Sequence, residues 1–251
     1  MLQKAIVARE CPEVGEKGVS IFERPQMSPL GDCALVIAFG DEIDQAINWR
    51  VKASWDRLEA ASLPATVEHI PTFTNVTVIY DPLRASYKEL VAEIGRVIEA
   101  LPAQISGTEA RTVEIPVCYG GDFGPDLESV AARNDLSPDE VVAIHCESTY
   151  PVYMIGFAPG FPYLGGMSER ISAPRLDTPR EKIPAGSVGI AGRQTGVYPI
   201  ETPGGWRLIG RTPLRLFDPT RHSPSLLQAG DLVRFTAVSK KEYERTQREE
   251  A

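Results

Sequence analysis

The chain has 251 residues, 43% of them hydrophobic and 24% charged, with a formal net charge of −8. That length suits one large domain or two small ones, and no apolar run approaches the roughly 20 residues needed to cross a bilayer. The acidic balance disfavours nucleic acid as the main partner. Four scattered cysteines without CxxC spacing, and histidines far apart at 69, 145 and 222, argue against a disulfide framework or a local metal site.

Residues 1–27 show no sustained period and contain Pro12 and Pro25, which reads as a loose extension. The charged start lacks the apolar core of a secretion signal, so a cytoplasmic location is expected. Regular structure is predicted to start at GDCALVIAFG (31–40), a short apolar run bounded by glycines that suits a buried strand. DEIDQAINWRVKASWDRLEA (41–60) places Ile43, Ile47, Val51, Trp55 and Leu58 at helical spacing, with an acidic first turn suited to a helix N-terminus. Strands follow at 65–70 and 75–80, the second stopped by Asp81-Pro82. A helix is predicted over 86–101, its apolar stripe running from Tyr87 to Leu101. RTVEIPV (111–117) then alternates like a strand. The order βαββαβ is that of a ferredoxin-like fold. The expected class is therefore α+β, with a small ferredoxin-like domain over 28–110.

Two short helices are predicted next, one ending near Arg133 and one opened by Ser137-Pro138-Asp139-Glu140. The second opening combines a Ser N-cap, Pro at N1 and Glu at N3. Two helices at a tight turn also invite a helix-turn-helix reading, but residues 1–149 hold 12 Lys/Arg against 24 Asp/Glu, the wrong balance for phosphate neutralisation. From Tyr150 to Arg221 the balance reverses to nine Lys/Arg against five Asp/Glu. An acidic half joined to a basic half fits a site that receives a small anion.

The stretch 150–213 holds 11 of the 21 glycines and nine of the 21 prolines, interleaved with aromatic residues. Short strands joined by tight turns and packed through rings describe an all-β barrel. A barrel domain is predicted over 111–238, closing with AGDLVRFTAV (229–238), and 239–251 reads as a charged tail, helical at most. The cysteines are expected to serve as small buried hydrophobes. No GxxxxGK[ST], GxGxxG or GxSxG motif occurs, so the chain has no recognisable phosphate loop or nucleophile elbow of its own. Its chemistry is expected to need a partner.

PVYMIGFAPGFPYLGG (151–166) is the most specific string. Its glycines let a ligand or another chain approach closely, and its rings would wall an apolar pocket. A barrel corner in which the rings only pack would use the same residues. Three further strings follow in order: APRLDTPREKIPAGSVGIAG (173–192), RQTGVYPIETPGGW (193–206) and RLIGRTPL (207–214). With SPLGDCALVIAFG from Ser28, YDP at 80–82, CYGGDFGPDLESVA (118–131) and His145, they make the chain resemble the B-subunit family of 5-oxoprolinase. That family is also labelled allophanate hydrolase subunit 1 and includes the sporulation kinase inhibitor. The resemblance runs from about Ser28 to about Phe235.

The resemblance implies a small N-terminal α+β domain joined to a cyclophilin-like β-barrel, similar to one half of the carboxyltransferase domain of urea carboxylase. It implies a chain that works with the A and C subunits of 5-oxoprolinase, the C subunit in closest contact, to open the lactam 5-oxo-L-proline to L-glutamate. The complex would use ATP, for which this chain has no motif. Two alternatives stay open: a regulatory protein that inhibits a sensor histidine kinase through the same aromatic surface, and an allophanate hydrolase or carboxyltransferase component of urea metabolism.

Activating a lactam demands donors at a developing oxyanion and a clamp for the substrate carboxylate. His145 is the candidate general acid–base. Arg175 and Arg180 are the candidate catalytic cations, with Arg193 and Arg211 as further guanidiniums able to grip carboxylate or phosphate. Gln194 and Thr195 would orient an amide. Contacts to substrate or across a subunit interface are expected from Tyr153, Gly156, Phe157, Pro159, Gly160, Phe161, Tyr163 and Leu164, and from Gly204, Gly205 and Trp206. No metal is expected. All of these residues should gather at one mouth of the barrel, facing the C subunit. Taken singly, a surface ion pair, a core hydrogen bond or ring packing would account for each.

Overall fold

The computed structural model describes residues 21–99 and 110–250. Strands β1 (Ile21–Leu30) and β2 (Ala34–Gly40) form a hairpin, followed by helix α1 (Gln45–Ala61), strands β3 (Thr66–Pro71) and β4 (Asn75–Tyr80), and helix α2 (Tyr87–Glu99). The four strands make an antiparallel sheet in the order β1-β2-β4-β3. Alternation sends Leu35, Ile37 and Phe39 of β2 and Val76, Val78 and Tyr80 of β4 to one face. There they meet Ile47, Val51 and Leu58 of α1 and Leu90, Ile94 and Ile98 of α2 in one core.

Three expectations change here. The edge strand β1 includes residues 21–27, assigned from sequence to a loose extension; residues 1–20 lie outside the described residues. Its side chains are mostly exposed, as befits an edge, so no buried period marks it. The segment 111–117, counted in the βαββαβ order but placed in the barrel domain 111–238, belongs to the barrel and not to the small sheet, where β1 holds the place beside β2. Helix α1 also begins later than expected. Asp44 is its N-cap, accepting from the Ala46 and Ile47 N–H groups at 2.8 and 3.2 Å, so the acidic run precedes the helix and Ile43 is left exposed.

The second half runs β5 (Thr112–Tyr119), α3 (Leu127–Arg133), α4 (Pro138–Glu147), β6 (Thr149–Ile155), β7 (Pro162–Leu164), a 3-10 turn (Glu169–Ile171), β8 (Arg180–Ile183), β9 (Ser187–Ala191), β10 (Gln194–Val197), β11 (Thr202–Gly204), β12 (Arg207–Arg211), β13 (Leu232–Ala237) and α5 (Lys240–Glu249). Seven strands close into a barrel in the order β10-β7-β6-β13-β5-β12-β9, while β8 and β11 pair as a separate ribbon. Closure removes the open edges that short Gly-rich strands would otherwise expose. Val117, Val152, Val188, Ile190, Ile209 and Phe235 fill the interior, and Val130, Val141 and Ile144 of α3 and α4 cover it. The capping box at Ser137 and Glu140 is present as expected.

The tail expected over 239–251 is an ordered helix with its own capping box at Ser239 and Glu242. It docks through buried Tyr243, whose ring lies 4.6 Å from that of Phe123. Cys118 is buried and Cys146 half-buried, but Cys33 is exposed at the first hairpin, and Cys11 lies outside the described residues. Sheet and barrel meet at Asn48. Its Nδ2 reaches the carbonyls of Thr72 and Phe73 at 3.3 Å and that of Tyr153 at 3.4 Å. Phe73 adds edge contacts to Tyr153 and Tyr163 at 5.9 and 5.5 Å. No helix among the described residues is long and apolar enough to cross a membrane.

Candidate functional site

The turn between β6 and β7 builds one wall of a cavity. The Gly156 N–H donates to the Phe161 carbonyl at 3.0 Å, and the Ala158 N–H donates to the Gly156 carbonyl at 2.7 Å, a three-residue turn centred on Phe157. Phe157 takes φ 63° there, a conformation that costs a bulky residue on the order of 1–3 kcal/mol. The turn leaves its ring 64% exposed. Pro159 leads into Gly160 at φ 80°, where a Cβ would stand 2.8 Å from that of Phe217, so the chain reverses there only as glycine. Buried Phe161 is the hub of the wall. Its ring makes edge contacts with Phe157, Tyr163, Tyr198 and Trp206 at 5.1–5.6 Å.

The opposite wall comes from the segment before β8 and the turn after β11. The Leu176 N–H donates to the Gly205 carbonyl at 2.7 Å, which holds Arg175 beside Gly204, Gly205 and Trp206. Together the walls enclose a cavity of about 360 Å³ lined by Phe157, Phe161, Tyr163 and Arg175, with Pro179, Tyr198 and Pro203 closing the remaining sides. That volume suits a small molecule, and the lining is mostly apolar with few polar groups, as ligand sites are. The cationic side chains nearby divide by partner. Arg180 binds Asp126, Lys182 faces Glu201 and Arg193 pairs with Glu169. Arg175 has no ion-pair partner among the described residues.

Arg180 lies behind this cavity on β8, opposite Gly204 of β11. Its Nη2 donates to Asp126 Oδ1 at 2.9 Å, and Oδ2 of the same carboxylate accepts from the Leu208 N–H at 2.7 Å. Asp126 is buried and ties the start of α3 to both β8 and β12. Sequence reasoning missed Asp126, although it sits in the CYGGDFGPDLESVA string. It also passed over Tyr198 as a site residue; its pairing in space with Trp206 is the missing signal.

Several expected site residues lie elsewhere. His145 is corrected most sharply: on α4 it is fully buried, stacked on Phe235 at 4.5 Å, with Nδ1 2.8 Å from the Tyr119 hydroxyl and Nε2 3.0 Å from Thr195 Oγ1. Burial pushes its pKa down to about 3. It is a core histidine that no ligand in the cavity reaches, and Thr195 is buried with it. Leu164 and Tyr153 are also core residues. Arg193 and Gln194 stand at the β9–β10 turn, away from the cavity, and Arg211 lies under α5 with its guanidinium 5.9 Å from the Phe123 ring. Gly156 borders Tyr163 without lining the cavity.

The family model of the carboxyltransferase domain, subdomains C and D, matches residues 25–227. The chain is 53% identical over 230 residues to the 5-oxoprolinase B subunit of Bacillus subtilis, covering 88% of this chain and 95% of that protein. Among solved structures, TTHA0988 matches with a TM-score of 0.73 and 38% identity over 82% of this chain, which spans 40% of the length of that one. Kluyveromyces lactis urea carboxylase matches 94% of this chain and 24% of its own at a TM-score of 0.73 and 19% identity, a likeness of fold alone. The chain thus belongs to the B-subunit family of 5-oxoprolinase, whose fold is that of the carboxyltransferase subdomains C and D.

Proposed function

We propose that this chain is the B subunit of an ATP-dependent 5-oxoprolinase, working with the A and C subunits in the cytoplasm to open 5-oxo-L-proline to L-glutamate. The observation that carries the reading is 53% identity to a protein named as that subunit, over 95% of its length. The cavity supports it. Its volume of about 360 Å³ has room for a five-membered lactam against the Phe161, Tyr163 and Trp206 rings, and the unpaired Arg175 offers a guanidinium to the substrate carboxylate. Phe157, exposed beside the cavity, would contact the C subunit, closing the site over the ligand.

In this reading the chain supplies binding and orientation, and the chemistry is shared with the partners. ATP enters this reading as the co-substrate of the complex, for which the sequence of this chain carries no phosphate-loop motif. The test is co-expression with candidate A and C subunits and assay of ATP-dependent glutamate release. Activity only with all three supports the reading. Absence of activity, with tight binding to a histidine kinase or turnover in urea metabolism instead, replaces it.

A further inference from the structure

We propose that the Tyr198 hydroxyl is the second arm, with Arg175, of a carboxylate clamp inside the aromatic cavity. The proposal rests on the reading of that cavity as the 5-oxoproline site. The Tyr198 ring walls the cavity between Phe161 and Trp206, with ring centroids 5.4 and 6.4 Å away. Its oxygen packs against the Gly204 turn: a Cβ there would stand 2.6 Å from it, so only glycine leaves the hydroxyl its room.

The hydroxyl has no hydrogen-bond partner among the described residues and is not among the sealed, unpaired polar atoms, so on the cavity wall its hydrogen is open to a ligand. Burial raises the phenol's pKa above its usual value despite the opposing pull of Arg175 and Arg180, so it stays a protonated donor at neutral pH. Both guanidiniums favour negative charge beside this hydroxyl, and Arg180 is already committed to Asp126. An anion in the cavity therefore meets one free guanidinium and one free O–H. The ligand class is a small carboxylate carried on a flat ring. A neutral lactam without the carboxylate would leave both arms unpaired, the kind of mismatch that polar sites reject strongly.

The test measures KM in the reconstituted complex and Kd of the full chain for 5-oxo-L-proline and for its neutral carboxamide. Tyr198→Phe keeps the ring and removes only the hydroxyl. It is expected to weaken 5-oxo-L-proline by roughly tenfold or more and the carboxamide, whose carbonyl accepts the same hydrogen without a charge, by a smaller factor. In combination with Arg175→Ala the losses should not add, because both groups grip one carboxylate. A variant that folds and discriminates acid from amide as well as the parent overturns the clamp. Arg175→Ala alone gives a measurement independent of whether Tyr198→Phe folds: two arms predict that a reduced preference for the acid survives, and its complete loss makes Arg175 the sole arm and overturns the proposal. If the reconstituted complex never releases glutamate, the parent reading falls. The clamp is then judged by Kd of the full chain, upheld by acid-dependent binding that Tyr198→Phe weakens and overturned by its absence.

Discussion

The Nε2 of His145 lies 3.0 Å from Oγ1 of Thr195, and that hydroxyl donates its own hydrogen to the Gly189 carbonyl at 3.0 Å. The histidine must then carry its proton on Nε2 and accept from the Tyr119 hydroxyl at Nδ1. A neutral ring with both nitrogens engaged is a structural link between α4, β5 and β10. Its folded pKa of about 3 lies below the unfolded value near 6.5, so the unfolded chain binds the extra proton first. This contribution to stability is intact above about pH 6.5 and is lost as pH falls toward 3, with a slope of at most about 1.4 kcal/mol per unit. Urea titrations from pH 6.5 to 5 should show that slope in the parent chain and a smaller one in His145→Gln. Turnover per folded complex should survive the substitution, and a collapse of kcat with an unchanged fold would return His145 to the chemistry.

Arg175 is the other half of that reassignment, since it faces the cavity without a carboxylate partner among the described residues. Arg175→Ala should raise KM for 5-oxo-L-proline roughly ten- to a hundredfold, the range for losing a charged hydrogen-bonding pair. Arg175→Lys should recover only part of it, because an ammonium cannot repeat the planar two-point grip. Steady-state kinetics of the reconstituted complex decide this, and equal KM values in all three forms would remove Arg175 from substrate binding.

These two residues also mark what was legible in the sequence. Local signals read well where the cause is local. The Ser137 capping box and the β3–β4 pair follow from residues within a few positions of each other. The density of Gly and Pro in 150–213 likewise marked the barrel and its aromatic cavity. Edge strand β1 was illegible because half-exposed strands carry no buried period. His145 and Arg175 look alike in sequence as polar residues inside family-like strings. What separates them is burial, fixed by distant partners, Tyr119 and Thr195 for His145, 26 and 50 positions away. Asp126 was missed for the same reason, its partners Arg180 and Leu208 being 54 and 82 positions distant.

Asp126 joins α3 to both the ribbon and the barrel, so its removal should loosen all three. Asp126→Ala strands the Leu208 N–H and frees Arg180, whose Nη1 already lacks a partner in the structure. Breaking a mostly buried pair from one side costs about 3–5 kcal/mol, and the partial exposure of Arg180 places this one at the lower end. Chemical denaturation of the full chain measures the loss. Arg180→Ala should cost less, because Asp126 keeps its bond to Leu208. A double-mutant cycle should show the two losses overlapping. Additive losses would mean that the ion pair contributes nothing to the link.

The two adjacent glycines before Trp206 should respond in opposite ways to the same added methyl. At Gly204 a Cβ would stand 2.6 Å from the Tyr198 hydroxyl and 2.8 Å from Ile183 Cδ1, both on buried side chains that would have to shift. Gly204→Ala is therefore expected to destabilise the chain by about 1–3 kcal/mol through overpacking and to displace Tyr198 from the cavity wall. At Gly205 the nearest atoms, the Leu176 carbonyl oxygen and Pro179 Cγ, are both 3.7 Å away, an ordinary contact distance. Neither glycine has the positive φ that would strain an alanine, so space alone separates them. Gly205→Ala should fold with stability within about 1 kcal/mol of the parent and keep the loop bond to Leu176. Thermal unfolding of the two variants, paired with KM for 5-oxo-L-proline, checks both halves. Gly204→Ala should lose stability and affinity together, and a Gly204→Ala chain indistinguishable from Gly205→Ala in both measurements would show that Tyr198 is not held against that turn.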